Sequence, residues 1–259
     1  MIETSPKIFL IARPDLDWDA VEAYLAAIGA VEWAGRHRNQ DMSGAESLIE
    51  FAGRLCYRSW EPGLNPNVRK VRTDSREYLA NILRSGHGSV LEHAQFTFVF
   101  QDVSRVFTHE LVRHRAGTAI SQESLRFVRL VDLGFRIPPL LEPMRDDVVA
   151  IVEALEDFQV RAAAKFGLDD TGVPFEIKKE VTSALRRLAP LGLSTSIVWS
   201  ANVRTIRHVI EMRTARSAEE EIRAVFRQVA TIMVKECPAL FDDYRTNDDG
   251  EWVTESRKV

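Results

Sequence analysis

Between residues 105 and 129 the chain carries five arginines (105, 113, 115, 126 and 129) and only two acids, Glu110 and Glu123. The formal net charge of the whole chain is −4, so this segment reverses the local sign. A guanidinium fork matches phosphate oxygens two at a time, which suits such a cluster to a phosphorylated ligand. A blander account is also open, because Arg113-His114-Arg115 falls where a helix is expected to end and cations there complement the helix dipole. His109-Glu110-Leu111-Val112-Arg113-His114 resembles the zinc motif H-E-x-x-H, but the spacing is one residue too long. Helix positions i and i+5 diverge by about 140°, whereas the motif needs i and i+4 on one face. His87 and His93 straddle a glycine-containing loop and make no helical ligand pair either, so no metal site is expected, and His93 is expected to be partly buried and hydrogen-bonded. Neither a G-x-S-x-G elbow nor a Cys-His signature is present, and Cys56 sits in an apolar helical stretch and is expected in the core. Cations, hydroxyls and amides without an attacking group suggest chemistry borrowed from a cofactor. No G-x-G-x-x-G follows a strand, which excludes a Rossmann site.

These groups need elements to place them. Lys7–Ala12 and residues 95–100 (QFTFVF) read as strands, as do residues 194–200. Trp18–Ile28 with Asp17 as cap, residues 45–56, and Ser75–Arg84 stopped by Ser85-Gly86-His87-Gly88 have helical spacing. Residues 61–68 form a loop by their Pro, Gly and Asn content. Ser104 is placed to cap a helix running to about Arg115, broken by Gly117, and residues 124–130 read as extended. Residues 146–166 and 174–188 are helical, with Pro174 in the first turn of the second. Asn202 is suited to cap a helix over residues 203–213. Ser217 and Glu220 could form a capping box for a helix whose apolar face is Ile222, Val225, Phe226, Val229, Ile232 and Met233, ended by Pro238. That face could pack within the chain or between chains. Acidic residues after Arg245 predict a disordered tail from about residue 246. Strands separated by helices of unequal length give an α+β (mixed α/β) class, with helices packed around a central mixed sheet in one domain spanning residues 1–259.

Composition sets outer limits. With 259 residues, 45% hydrophobic and 28% charged, the chain has the make-up of a soluble globular protein. Two cysteines give no disulfide framework, and neither a signal peptide nor a membrane span is evident. The expected setting is the cytoplasm, with no membrane and no nucleic acid polymer as partner.

Taken in order, the motifs resemble those of one family. Arg113-His114-Arg115 followed by Ser124-x-Arg126 is similar to the signature of the flavin-dependent thymidylate synthases. So are His87-x-Ser89-x-x-Glu92-His93 upstream and the run P-L-G-L-S-T-S-I-V-W-S-A-N-V-R ending at Arg204. The resemblance covers about residues 45–244. It implies that Ser89, Arg113, His114, Arg115, Asn202, Arg204 and His208 hold FAD. It implies that Glu110, Gln122, Ser124, Arg126, Arg186 and Arg213 surround the nucleotide, with Arg213 at the uracil ring and His87 beside flavin and folate. Arg213, Ser124 and His87 are then the residues nearest the chemistry. On pattern alone, Arg186 and Arg187 are better read as a solvated helix face, and Asn202 as an ordinary cap; only the resemblance raises them. The family further implies NADPH as reductant, methylenetetrahydrofolate as carbon donor, dUMP as acceptor, and a homotetramer with sites between subunits. Two features depart from the pattern: the spacer between Arg115 and Ser124 is one residue longer than usual, and Phe127 replaces a tyrosine. Both fall beside the nucleotide and leave UMP open as an alternative acceptor, with Thr118 or Ser121 as a partner for its 2′-hydroxyl. A zinc hydrolase built on His109, Glu110 and His114, and a flavin- or nucleotide-binding protein without turnover, are the competing classes.

Overall fold

The computed structural model describes residues 1–68, 70–126, 130, 132 and 134–256. Phe127 and Arg129 lie outside them. In chain order the elements are β1 (Ile2–Glu3), β2 (Lys7–Ala12), α1 (Trp18–Ile28), α2 (Val31–His37), α3 (Gly44–Tyr57), α4 (Ser75–Arg84), β3 (Gln95–Ser104), α5 (Arg105–Leu111) and β4 (Thr118–Gln122). They continue with β5 (Gly134–Phe135), α6 (Arg145–Lys165), α7 (Phe175–Leu185), β6 (Ser194–Asn202), α8 (Val203–Thr214), α9 (Glu220–Glu236), α10 (Pro238–Phe241), β7 (Tyr244–Thr246) and β8 (Trp252–Thr254).

The class is α+β, as the spacing predicts. Four strands in the order β2-β3-β6-β4 form a wholly antiparallel sheet; the parallel pairing is the short β1–β5 contact. One face of the sheet carries Phe96, Phe98, Phe100, Ile197 and Trp199, all buried, and α8 and α9 lie against it. Phe226 of α9 meets the Trp199 ring edge-on at 5.7 Å, an arrangement favoured by the ring quadrupoles. The apolar face of α9 is thus spent inside the chain: Ile222, Val225, Phe226, Val229 and Met233 are buried in the main core, and Ile232 is packed against it. A smaller core joins α1 and α2 through Leu25, Trp33 and Trp60.

Local chemistry explains the helix starts. Asp17 accepts from the Ala20 amide, and Asn202 from the Thr205 amide. Ser43 and Glu46 make a reciprocal capping box at α3. The box expected at Ser217 and Glu220 does not form. Glu219 caps α9 instead, accepting from the Glu221 and Ile222 amides, and the Glu220 carboxylate is drawn to Arg136. Pro174 precedes α7 as its cap, and the last expected turn is a 3-10 turn over Arg186–Leu188.

Three further expectations are corrected. The helix capped by Ser104 ends at Leu111, well short of Arg115, and a strand runs into it through an irregularity between Phe100 and Val103, where Asp102 has a φ of 58°. Residues 118–122 form the edge strand β4, whereas Leu125 and Arg126 lie in a turn closed by the Arg126 amide on Ser124 Oγ. The acidic tail is ordered as the β7–β8 hairpin. Arg207 of α8, almost fully buried, holds it: its guanidinium grips both carboxylate oxygens of Asp243, at 2.8 and 2.7 Å, and also the Leu240 carbonyl.

Candidate active site

The Arg113–Gly117 loop is seated on the start of α8. Thr205 Oγ1 donates to the Ala116 carbonyl at 2.8 Å, and the Asn202 amide donates to the Gly117 carbonyl at 3.1 Å. Gly117 has a φ of +66°, and a Cβ there would lie 2.2 Å from Asn202 Nδ2 and 2.6 Å from Thr205 Oγ1. Only glycine combines that backbone with so close an approach. The contact brings two motifs distant in sequence to one cavity of about 640 Å³. Its walls include Arg113, His114, Arg115, Asn202, Arg204 and His208, which are all but one of the residues that the family resemblance assigns to the cofactor. Ser89 stands apart in a neighbouring cavity of about 350 Å³ with His87, Tyr57 and Cys56; Arg204 lines both. His87 stacks on Tyr57 at 5.9 Å with ring planes 19° apart. Cys56 is exposed there, contrary to its expected place in the core, because the helix turns this position to the cavity. His93 is likewise exposed rather than partly buried.

Gln122, Ser124 and Arg186 line a third cavity, of about 420 Å³. Gln122 Nε2 donates to Thr108 Oγ1 at 3.1 Å, which fixes the amide against α5. The same cavity contains Arg105 and His109. Arg105 belongs to the arginine cluster, but the family resemblance gives it no role of its own; among the described residues its Nε is buried without a partner, and burial lowers the stability of its charge. One terminal nitrogen donates to the Glu123 carbonyl at 3.0 Å, and a cation with its buried Nε donor unmet beside a cavity suits an anionic ligand. Its position at the start of α5, directly after the bulged end of β3, is the signal that could have found it. Arg126 is exposed at the turn after Ser124.

Arg213 lies in the last turn of α8 and reaches back to the end of α5. Its Nε donates to His114 Nε2 at 2.7 Å, one terminal nitrogen pairs with the Glu110 carboxylate, and the other donates to the Glu110 carbonyl at 3.1 Å. His114 meets His208 edge-on at 6.1 Å. Burial, with the charges of Arg213 and His208, pulls the His114 pKa down to about 4, so the ring is neutral at physiological pH. His109 and His114 do not converge on a metal; among the described residues no group of three His, Cys, Asp or Glu side chains could hold one.

The first two cavities share Arg204, and the contacts of Arg213 with Glu110 and His114 tie the end of α5 to the wall of the first; Glu110, Arg126 and Arg213 are not among the described lining residues of the three cavities. No described helix is long and apolar enough to cross a membrane.

Residues 39–239 match the family model for thymidylate synthase complementing protein. The chain is 35% identical over 253 residues to the flavin-dependent thymidylate synthase of Mycobacteroides abscessus, covering 94% of this chain and 89% of that protein. It is 34% identical to those of Mycobacterium marinum, over 99% of this chain and 98% of that one, and Mycobacterium tuberculosis, with the same coverage. The model spans well over half of the chain and the relatives are aligned nearly end to end, so this chain belongs to the thymidylate synthase complementing protein family.

Proposed function

We propose that this protein is an FAD-dependent thymidylate synthase. It transfers the one-carbon unit of methylenetetrahydrofolate to C5 of dUMP and reduces it to a methyl group, with NADPH as the source of electrons. The observation that carries the proposal is the single cavity in which Arg113, His114 and Arg115 meet Asn202, Arg204 and His208. Its volume is that of a small-molecule site, and three arginines on its wall supply the charge that a pyrophosphate needs. The tight seat of Gly117 on Asn202 and Thr205 holds this wall rigid before any ligand arrives. Arg113, His114, Arg115, Asn202, Arg204 and His208 would hold FAD there, and it would supply the two-electron redox chemistry that the methylation needs.

The remaining steps fall to the chain's own side chains. Arg105, Arg186, Ser124, Gln122 and the neighbouring Arg126 grip the nucleotide phosphate and sugar, so that binding energy far from the ring orients it. Arg213, backed by Glu110, is the donor that stabilises negative charge on the uracil as C5 becomes nucleophilic. His87 and Ser89, with Tyr57, form the wall that receives the folate. Exposed apolar side chains on and around α6 and α7, among them Leu140 at 88% and Phe175 at 63% exposure, favour a homotetramer in which a neighbouring copy completes each site. The setting proposed is the cytoplasm.

The structure bears on the ribonucleotide alternative. The Thr118 hydroxyl donates to the His114 and Arg115 carbonyls. Ser121 alternates with Gln122 along β4 and so points to the opposite face of the sheet. Thr118 Oγ1 keeps lone pairs that can accept a further hydrogen bond, so the preference for dUMP rests on the likeness to thymidylate synthases rather than on these two hydroxyls. The test is to incubate the protein with methylenetetrahydrofolate and NADPH and identify the product from dUMP and, separately, from UMP. Thymidylate from dUMP is expected. Preferred methylation of UMP contradicts the dUMP assignment, and no methylated product from either contradicts the enzyme.

A further inference from the structure

We infer that His114 is a positioning residue: through an unprotonated Nε2 it anchors the Nε–H of Arg213 and so sets the direction in which that guanidinium points. The inference rests on the reading of Arg213 as the group facing the uracil. It adds a role for a histidine otherwise expected only to hold the cofactor.

The argument starts from what each atom can do. An arginine Nε can only donate, so the 2.7 Å contact to His114 Nε2 requires a lone pair on that nitrogen. The ring must then carry its proton on Nδ1. A guanidinium has five N–H groups. Arg213 spends one on His114, one on the Glu110 carboxylate and one on the Glu110 carbonyl. That leaves one N–H on each terminal nitrogen, a two-pronged fork with the rest of the group locked. The lock has two sides that differ in kind. Glu110 supplies charge, while His114 supplies direction, because the Nε contact prevents the plane from rotating about the long side chain. Without it, Arg213 would keep its two contacts with Glu110 but tilt about the line joining them, and a donor misplaced by about 1 Å loses much of its value. The neutrality of His114, imposed by burial and by Arg213 and His208, keeps the acceptor available.

Three observations on the holoprotein test this. His114→Leu removes the acceptor while keeping bulk, and His114→Gln presents a carboxamide oxygen near the position of Nε2. Removing a partner that orients a functional group commonly costs about 10–100-fold, by analogy with partners that orient metal ligands. His114→Leu is therefore expected to lower kcat by that factor at saturating FAD, with recovery in His114→Gln. In the Arg213→Ala background, His114→Leu should cost nothing further, since coupled residues are non-additive. Independently of turnover, the imidazole ¹⁵N resonances of histidine-labelled protein, with His114 assigned by its loss in His114→Gln, should show the proton on Nδ1 and lose that preference in Arg213→Ala. A proton on Nε2, a tautomer indifferent to Arg213, or fully additive kinetic effects overturns the inference. If wild-type protein turns over no uridylate, the proposed function falls, and the tautomer alone decides the anchoring.

Discussion

Two arginines on α8 show how one helix serves two ends. Arg207 faces the core with 2% of its side chain exposed, gripping Asp243 with both terminal nitrogens, the Leu240 carbonyl with one, and lying over the Tyr244 ring at 4.8 Å. Arg213, six residues further along, is 17% exposed and keeps two N–H groups uncommitted beside a neutral imidazole. A closed network of this sort fixes structure; a network that stops short of completion is prepared for a ligand. The same contrast separates Arg54 from Arg105. Arg54 is enclosed by Glu50, the Ser59 and Arg72 carbonyls and the Tyr78 ring, whereas Arg105 donates to the Glu123 carbonyl but has a buried Nε with no partner among the described residues and a cavity beside it.

The largest effect expected from breaking this contrast is on stability. Arg207→Met leaves Asp243 without its partner, and removing one member of a buried pair costs about 3–5 kcal/mol. Denaturant unfolding should show that loss, while the fraction still folded keeps its flavin content. An unchanged midpoint would mean that the hairpin does not depend on the clamp. Next comes Arg213→Ala, which should leave FAD bound and slow turnover by about 10²–10³-fold, the range for losing one donor aimed at developing charge. Steady-state kinetics with dUMP settle this, and near-normal kcat would place Arg213 away from the ring.

A third, smaller effect belongs to the loop that joins the two motifs. Gly117→Ala forces a side chain into a φ of +66° and against Asn202, strain of order 1–3 kcal/mol. We predict weaker FAD binding in an equilibrium titration with dUMP contacts intact; wild-type affinity would mean that the loop yields without moving Arg113 or Arg115.

The smallest effects are those of pH, and they divide the two regions by window. His114 sits at about 4 against an ordinary 6.5, so between those values the unfolded chain binds a proton that the native state refuses. Stability falls as pH drops from 6.5 to 4 on its account. Burial pushes the Glu50 carboxyl up, but the approach of His37 at 3.3 Å and the charge of Arg54 outweigh it and hold the group at about 2 against 4.5. Its contribution is complete above 4.5 and is lost as pH falls from there towards 2. Melting temperatures across pH should therefore show His114→Gln flattening the upper limb alone; a change confined to the lower limb would reverse the assignment.

Much of the site was legible because its chemistry is local. Asn202 reads as a cap from its own type and position, and Arg113-His114-Arg115 reads as a cation cluster from its residue types; their place at the flavin came only from the family resemblance. What sequence could not supply is convergence. The Arg113–Gly117 loop and the start of α8 meet only because β4 pairs with β6, and β4 was missed since Thr118–Gln122 is a short edge strand whose Ser and Gln look like loop. The hairpin was missed for a different reason. Asn247-Asp248-Asp249-Gly250 between Tyr244-Arg245-Thr246 and Trp252-Val253-Thr254 is a turn signal flanked by strand formers, but its acidity reads as a solvated tail until Arg207 is seen to be buried against it. Arg105 reads from sequence only as one cation of the cluster, because a buried donor left unmet among the described residues is visible only in three dimensions.

The central claim is that the Arg113–Arg115 and Asn202–His208 segments together hold FAD. The most direct measurement is the visible absorbance of the purified protein, with the released flavin identified after denaturation, for wild type and for Arg113→Ala. The account predicts a yellow protein that releases FAD and a variant with markedly less of it. A colourless protein that takes up no added FAD, or a variant that holds FAD as well as wild type, would contradict it.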